Sequence, residues 1–138
     1  MDNDKIINVR EWFKYANDDF DVVNLLLSLY PYKVNIMCFH CQQAAEKMLK
    51  AFILHMDTEI PKIHDLNVLR NMCAANDETF SDILNECADL NIYSSKPRYP
   101  SGSTITEENM HQAIKDCRAV IEFVISKIDY ADFSFPAP

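Results

Sequence analysis

The sequence predicts an all-α protein, an up-and-down bundle of about five helices, and three observations carry that expectation. Apolar residues recur at steps of three and four through most of the chain, the spacing that gathers them on one side of a helix. There is a single glycine, Gly102, so the tight hairpin turns of a β fold have almost no residue to build them. The breaks between periodic stretches are short and hold prolines or polar residues, which suits antiparallel neighbours. At 138 residues the chain fits one domain, 1–138, large enough to bury on the order of two thirds of its unfolded surface without metals or disulfides.

The first helix is expected from near Asn8, which would cap it with Glu11 reaching back. Trp12, Ala16, Phe20, Val23 and Leu27 give its apolar stripe, flanked by Asp18, Asp19 and Asp21, and Tyr30-Pro31-Tyr32 breaks it. The second runs from about Lys33 to Met56. Its apolar set, Met37, Cys41, Ala44, Met48 and Phe52, widened by Cys38, Ala45, Leu49 and Ile53, covers most of the circumference. A helix so patterned touches neighbours on more than one side and should be central.

A third helix is expected to start at His64-Asp65, where Asp65 caps the exposed amides, and to end near Ala75 with Leu66, Leu69 and Met72 on one face. A fourth spans about Glu78 to Tyr93, with Phe80, Ile83, Leu84, Cys87 and Leu90 at helical spacing. The longest break, Ser94 to Ser103, holds two prolines and the glycine and is the expected functional loop. Thr104 or Thr106 caps a fifth helix whose first turn holds Glu107 and Glu108 and whose core stripe runs from Met110 through Cys117 to Ile128. Residues 129–138 read as an extended tail.

The charge balance is acidic: Lys+Arg 13 against Asp+Glu 21 gives −8, which disfavours nonspecific binding to DNA or RNA. Residues 33–56 are locally +2, through Lys33, Lys47 and Lys50 against Glu46, so an anion site is expected near the second helix. The five cysteines sit mostly in apolar helical stretches and the start, Met1-Asp2-Asn3-Asp4, is acidic. Reduced thiols, no secretory leader and a cytoplasmic location are the expectation. No uncharged run approaches the roughly 20 residues a membrane span needs.

One phrase stands out. Phe39-His40, followed by Gln42-Gln43-Ala44-Ala45-Glu46-Lys47-Met48-Leu49-Lys50-Ala51, then Pro61-Lys62-Ile63-His64-Asp65-Leu66 and Arg98-Tyr99-Pro100, resembles the HEPN family (higher eukaryotes and prokaryotes nucleotide-binding domain) over about Trp12 to Ile128. The resemblance implies an all-α bundle that commonly forms homodimers and often works beside a minimal nucleotidyltransferase in a two-protein, toxin-antitoxin-like module. Some members are metal-independent ribonucleases marked by an arginine followed after four to six residues by a histidine. None of Arg10, Arg70, Arg98 and Arg118 has a histidine at that distance, so the strict catalytic pattern is absent here.

The expected function is therefore a binding module that contacts nucleotide or RNA, with a ribonuclease using His64 and Arg98 from separate segments as the alternative. The candidate binding residues are Gln43, Glu46, Lys47, Lys50, His64, Asp65, Arg98 and Tyr99. A guanidinium and a helix amino terminus suit phosphate, and a tyrosine can stack on a base. The plainer reading is that Asp65 only caps, His64 packs on the second helix and Arg98 fastens its loop. Gln43, Glu46 and Lys50 share one stripe, with Glu46 and Lys50 in the favourable order for an ion pair. That stripe is either the wall of a site or an interhelical polar network that holds register.

Cys38 and Cys41 have the spacing of a zinc or redox pair, yet no second close pair accompanies them and their phase is that of the core. Glu107, Glu108 and His111 share the start of the fifth helix and are explained by capping. No glycine-rich phosphate loop, HExxH or GxSxG motif is present, and no cofactor or metal is expected.

Overall fold

Five α-helices and one 3₁₀ segment make up the computed structural model, which describes residues 3–94 and 104–130. They are α1 (Asn3–Leu26), α2 (Val34–His55), α3 (Leu66–Ala74), the 3₁₀ segment Glu78–Ile83, α4 (Leu84–Asn91) and α5 (Glu107–Ser126). There is no strand among the described residues, and no described helix is long and apolar enough to cross a membrane.

α2 is the central element. It packs against α1, α3, α4 and α5, and Met37, Cys38, Cys41, Ala44, Ala45, Met48, Leu49, Phe52 and Ile53 are all buried. The expected stripe of α5 is likewise buried from Met110 to Ile128. These faces and their partners on the other helices form one continuous apolar cluster.

α1 departs from expectation at both ends. It begins by Asn3, leaving Asn8 exposed inside the helix, and it ends at Leu26. Asp4 places negative charge in its first turn, favourable at the positive end of a helix, and Lys5 ties that turn to the end of α2 by donating to the His55 carbonyl at 3.2 Å and to Asp57 at 3.0 Å. Its core face is Val9, Phe13, Ala16, Phe20 and Val23, so Trp12 and Leu27 stand at the edge of the stripe rather than in it.

The expected fourth helix is two elements. Ser81 Oγ donates to the Glu78 carbonyl and Asp77 accepts from the Thr79 amide and hydroxyl, and such short polar side chains compete with helical backbone bonding. Phe80 and Ile83, three apart, then share a side of the tighter turn. The change of winding at the junction leaves Leu84, expected in the core, 45% exposed, while Cys87 and Leu90 are buried.

Caps fix the remaining starts. Asp65 accepts from the amides of Asn67 (2.9 Å) and Val68 (3.3 Å), as expected for α3. Asn91 links that cap to α4: its amide donates to Asp65 and its oxygen accepts from the Leu66 amide. α5 is capped by Thr106, whose hydroxyl accepts from the Asn109 amide while Asn109 reaches back to the Thr106 amide. Of the expected tail, Tyr130 pairs its hydroxyl with His55 Nδ1 at 2.7 Å, and its carbonyl accepts from Arg10; 131–138 lie outside the described residues.

Candidate functional site

Between two and three turns of α2 carry Gln42, Gln43, Glu46, Lys47 and Lys50, and the chain following α2 brings His64 back against Glu46. Glu46 is buried at 4% exposure and is the hub. Its Oε2 accepts from Lys50 Nζ at 3.2 Å and lies 3.0 Å from His64 Nδ1, and its Oε1 accepts from Gln42 Nε2 at 3.5 Å. Gln42, fully buried, also donates to the His64 carbonyl at 3.1 Å. The helix and the approach to α3 are thus stitched together by one carboxylate and one amide.

Lys50 is 6% exposed, with its ammonium 5.9 Å from the centre of the Trp12 ring. A charge so placed requires a partner, and Glu46 supplies it. Lys47, only one residue beyond Glu46, points about 100° further round the helix and pairs with Asp19 of α1. His40 Nδ1 meets the same carboxylate at 2.8 Å. The lysines expected to make this stretch an anion site, Lys47 and Lys50, are therefore each matched by a carboxylate.

The expected site residues fall into separate groups. Glu46, Lys50 and His64 come together directly. Gln43 stands further out, half-buried, and joins through a 2.8 Å bond to Gln42. Asp65 is held by its capping role, Lys47 belongs to the α1 seam, and Arg98 and Tyr99 lie outside the described residues. Sequence reasoning overlooked Gln42, His40 and Asp19 as members. Their signals were present: Gln42 is four residues before Glu46, and Asp19 shares the helical phase of Ala16 and Val23.

His64 is the member of this network that faces solvent, its side chain 70% exposed. Because Lys50 donates to the same Glu46 oxygen, the carboxylate acts as acceptor and Nδ1 carries the proton. In the neutral ring this bond at Nδ1 selects the tautomer that leaves Nε2 as an acceptor. It makes no hydrogen bond to a described residue.

Cys38 and Cys41 are both fully buried in the core. Burial pushes the Cys38 thiol up to about 12, and a hydrogen bond with Cys117 together with burial raises Cys41. Both take the core positions their helical phase predicts, and His40 pairs with Asp19. Glu107, Glu108 and His111 cluster around the start of α5, the last with its ring 5.9 Å from Tyr32. A separate cavity of about 290 Å³ lies between α4 and α5, lined in part by Tyr93, Gln112 and Asp116. Burial raises the Asp116 carboxyl while its bond from Gln112 opposes the rise.

Comparison with known proteins adds two findings. A family model for the HEPN domain matches residues 9–128. The fold is similar to the crystal structure of TT1696 from Thermus thermophilus, with a TM-score of 0.70 and 22% identity over 87% of this chain and 98% of that one. No curated protein matches the sequence.

Proposed function

This chain belongs to the HEPN family, and on that premise we propose that it is a binding module: a homodimer that engages a minimal nucleotidyltransferase-type partner and contacts nucleotide or RNA at the solvent edge of the Glu46 network. The observation that carries the reading is the anchored, exposed ring of His64. Nε2 can accept from a ribose hydroxyl or a base N–H, and once protonated it can donate to phosphate. Gln43 adds an amide at the same edge, and Arg98 and Tyr99 are the residues proposed to supply phosphate charge and stacking. Glu46 and Lys50 act behind this surface by holding His64 in place.

Calorimetric titration with adenine and guanine nucleotides, and with short RNA at stated salt, tests the proposal. Wild-type protein is expected to bind saturably. His64→Ala and Arg98→Ala each remove a hydrogen bond with charged character, worth about 1.5 to 3 kcal/mol, which corresponds to roughly tenfold or more in affinity. Absence of heat with every nucleotide and RNA removes the reading.

The same contact favours a second reading. An exposed imidazole backed by a buried carboxylate is placed to take a proton, as a ribonuclease base must. Cleavage of RNA by the purified protein, abolished in His64→Ala, would move the assignment from binding to catalysis.

A further inference from the structure

A groove beside Trp12 is lined by none of the residues assigned above to nucleotide contact. It runs between α1 and the link that leaves α2, and its two halves, each about 360 Å³, share Asn8 and Leu54. One half is lined by the rings of Trp12 and Tyr15, the apolar Leu54 and Ile60, and Glu11. The other half carries Asp4, Asp57 and Glu59 against Lys5. The two halves together are lined by four carboxylates and one lysine, and that lysine is engaged by Asp57 at 3.0 Å.

The aromatic residues are presented rather than stowed. Tyr15 is 44% exposed, and its hydroxyl donates to Glu11 Oε1 at 2.8 Å, which holds ring and carboxylate side by side. Trp12, half-buried, has beneath it the Lys50 ammonium, whose charge Glu46 already meets. Negative charge, two π faces and an apolar lining in one concavity match a single kind of side chain, a long cation with an apolar stem. Arginine fits best, because its planar guanidinium both stacks on aromatic rings and pairs with a carboxylate.

We propose that this groove receives a cationic segment of a partner protein, an arginine lying across Trp12 and Tyr15 with its guanidinium at Glu11. The acidic half next to it receives further basic residues of the same segment. Charge complementarity on a chain of net −8 chooses this occupant. The assignment stands apart from nucleotide contact at His64, which lines neither half of the groove.

Trp12 is the single tryptophan, so its emission reports the groove directly. The full chain is titrated with an oligoarginine peptide, with oligoglutamate of equal length as control. Saturable change in Trp12 emission with oligoarginine alone, weakening as salt rises, is the expected result. Glu11→Lys and Tyr15→Ala, both at exposed positions, should each weaken it roughly tenfold or more with unchanged thermal melting, while His64→Ala leaves it as in wild type.

Lack of any response to oligoarginine, an equal response to oligoglutamate, or wild-type affinity in Glu11→Lys overturns the proposal. So does emission that changes with protein concentration alone in step with dimerisation, which would give the groove to a second copy of this chain. Nucleotide titrations run on the same variants keep the two assignments distinguishable: His64→Ala should affect only nucleotide, Glu11→Lys only the peptide.

Discussion

Glu46→Ala should lower folding stability by about 3 to 5 kcal/mol, the range for removing one partner of a buried ion pair. The size follows from what is left behind. Lys50 stays 6% exposed with its ammonium under Trp12 and no carboxylate, and Gln42 and His64 each lose an acceptor. The pair itself need not be strongly stabilising, since its desolvation offsets much of the attraction. Replacing both partners with apolar residues, Glu46→Leu with Lys50→Met, should therefore recover most of the loss. Urea unfolding checks this, read as a shift of midpoint at constant slope. If Glu46→Ala stays within about 0.5 kcal/mol of wild type yet loses nucleotide binding, the stripe is a binding wall and the structural account of it is wrong.

Phe80→Ala should be comparably damaging, about 3 to 5 kcal/mol. Phe80 is fully buried where the 3₁₀ segment meets both α2 and α5, its ring 4.4 Å from Phe52 and 4.9 Å edge-on from Phe123 between centroids. Removing it opens a cavity that two rings from different helices cannot readily close. Phe80→Leu, which keeps most of the volume, should lose distinctly less. Equal losses for the two substitutions in urea unfolding would show that the aromatic contacts, rather than filled volume, set the effect.

Much of the architecture was legible because it depends on local periodicity. The nearly all-round apolar pattern of α2 announced a helix with neighbours on several sides, and Asp65 before an apolar stretch announced the α3 cap. The Glu46–Lys50 pair follows from a spacing of four. What was illegible depends on how separate elements register. Nothing near Lys47 says that Asp19, 28 residues earlier, will sit opposite it, nor that the His64 carbonyl will meet Gln42. The locally positive charge of 33–56 was real as a sum and misleading as a surface, since the partners of Lys47 and Lys50 arrive from α1 and from within α2. The 3₁₀ winding at Glu78–Ile83 was hidden because Phe80, Ile83, Cys87 and Leu90 fit a continuous helix as well as a broken one. The groove beside Trp12 exists only where residues 57–60 pass α1, which no local pattern encodes.

The buried thiols give the molecule a built-in clock. α2 holds Cys38 and Cys41, α3 Cys73, α4 Cys87 and α5 Cys117, all at 0% exposure. Burial pushes Cys38, Cys73 and Cys87 up to about 12, so an alkylating reagent, which attacks the thiolate, meets almost none of it in the folded state. Each label must then wait for its own helix to come loose. The order in which the cysteines are marked is the order in which parts of the bundle let go, and it separates local opening of the short α3 and α4 from collapse of the whole around α2.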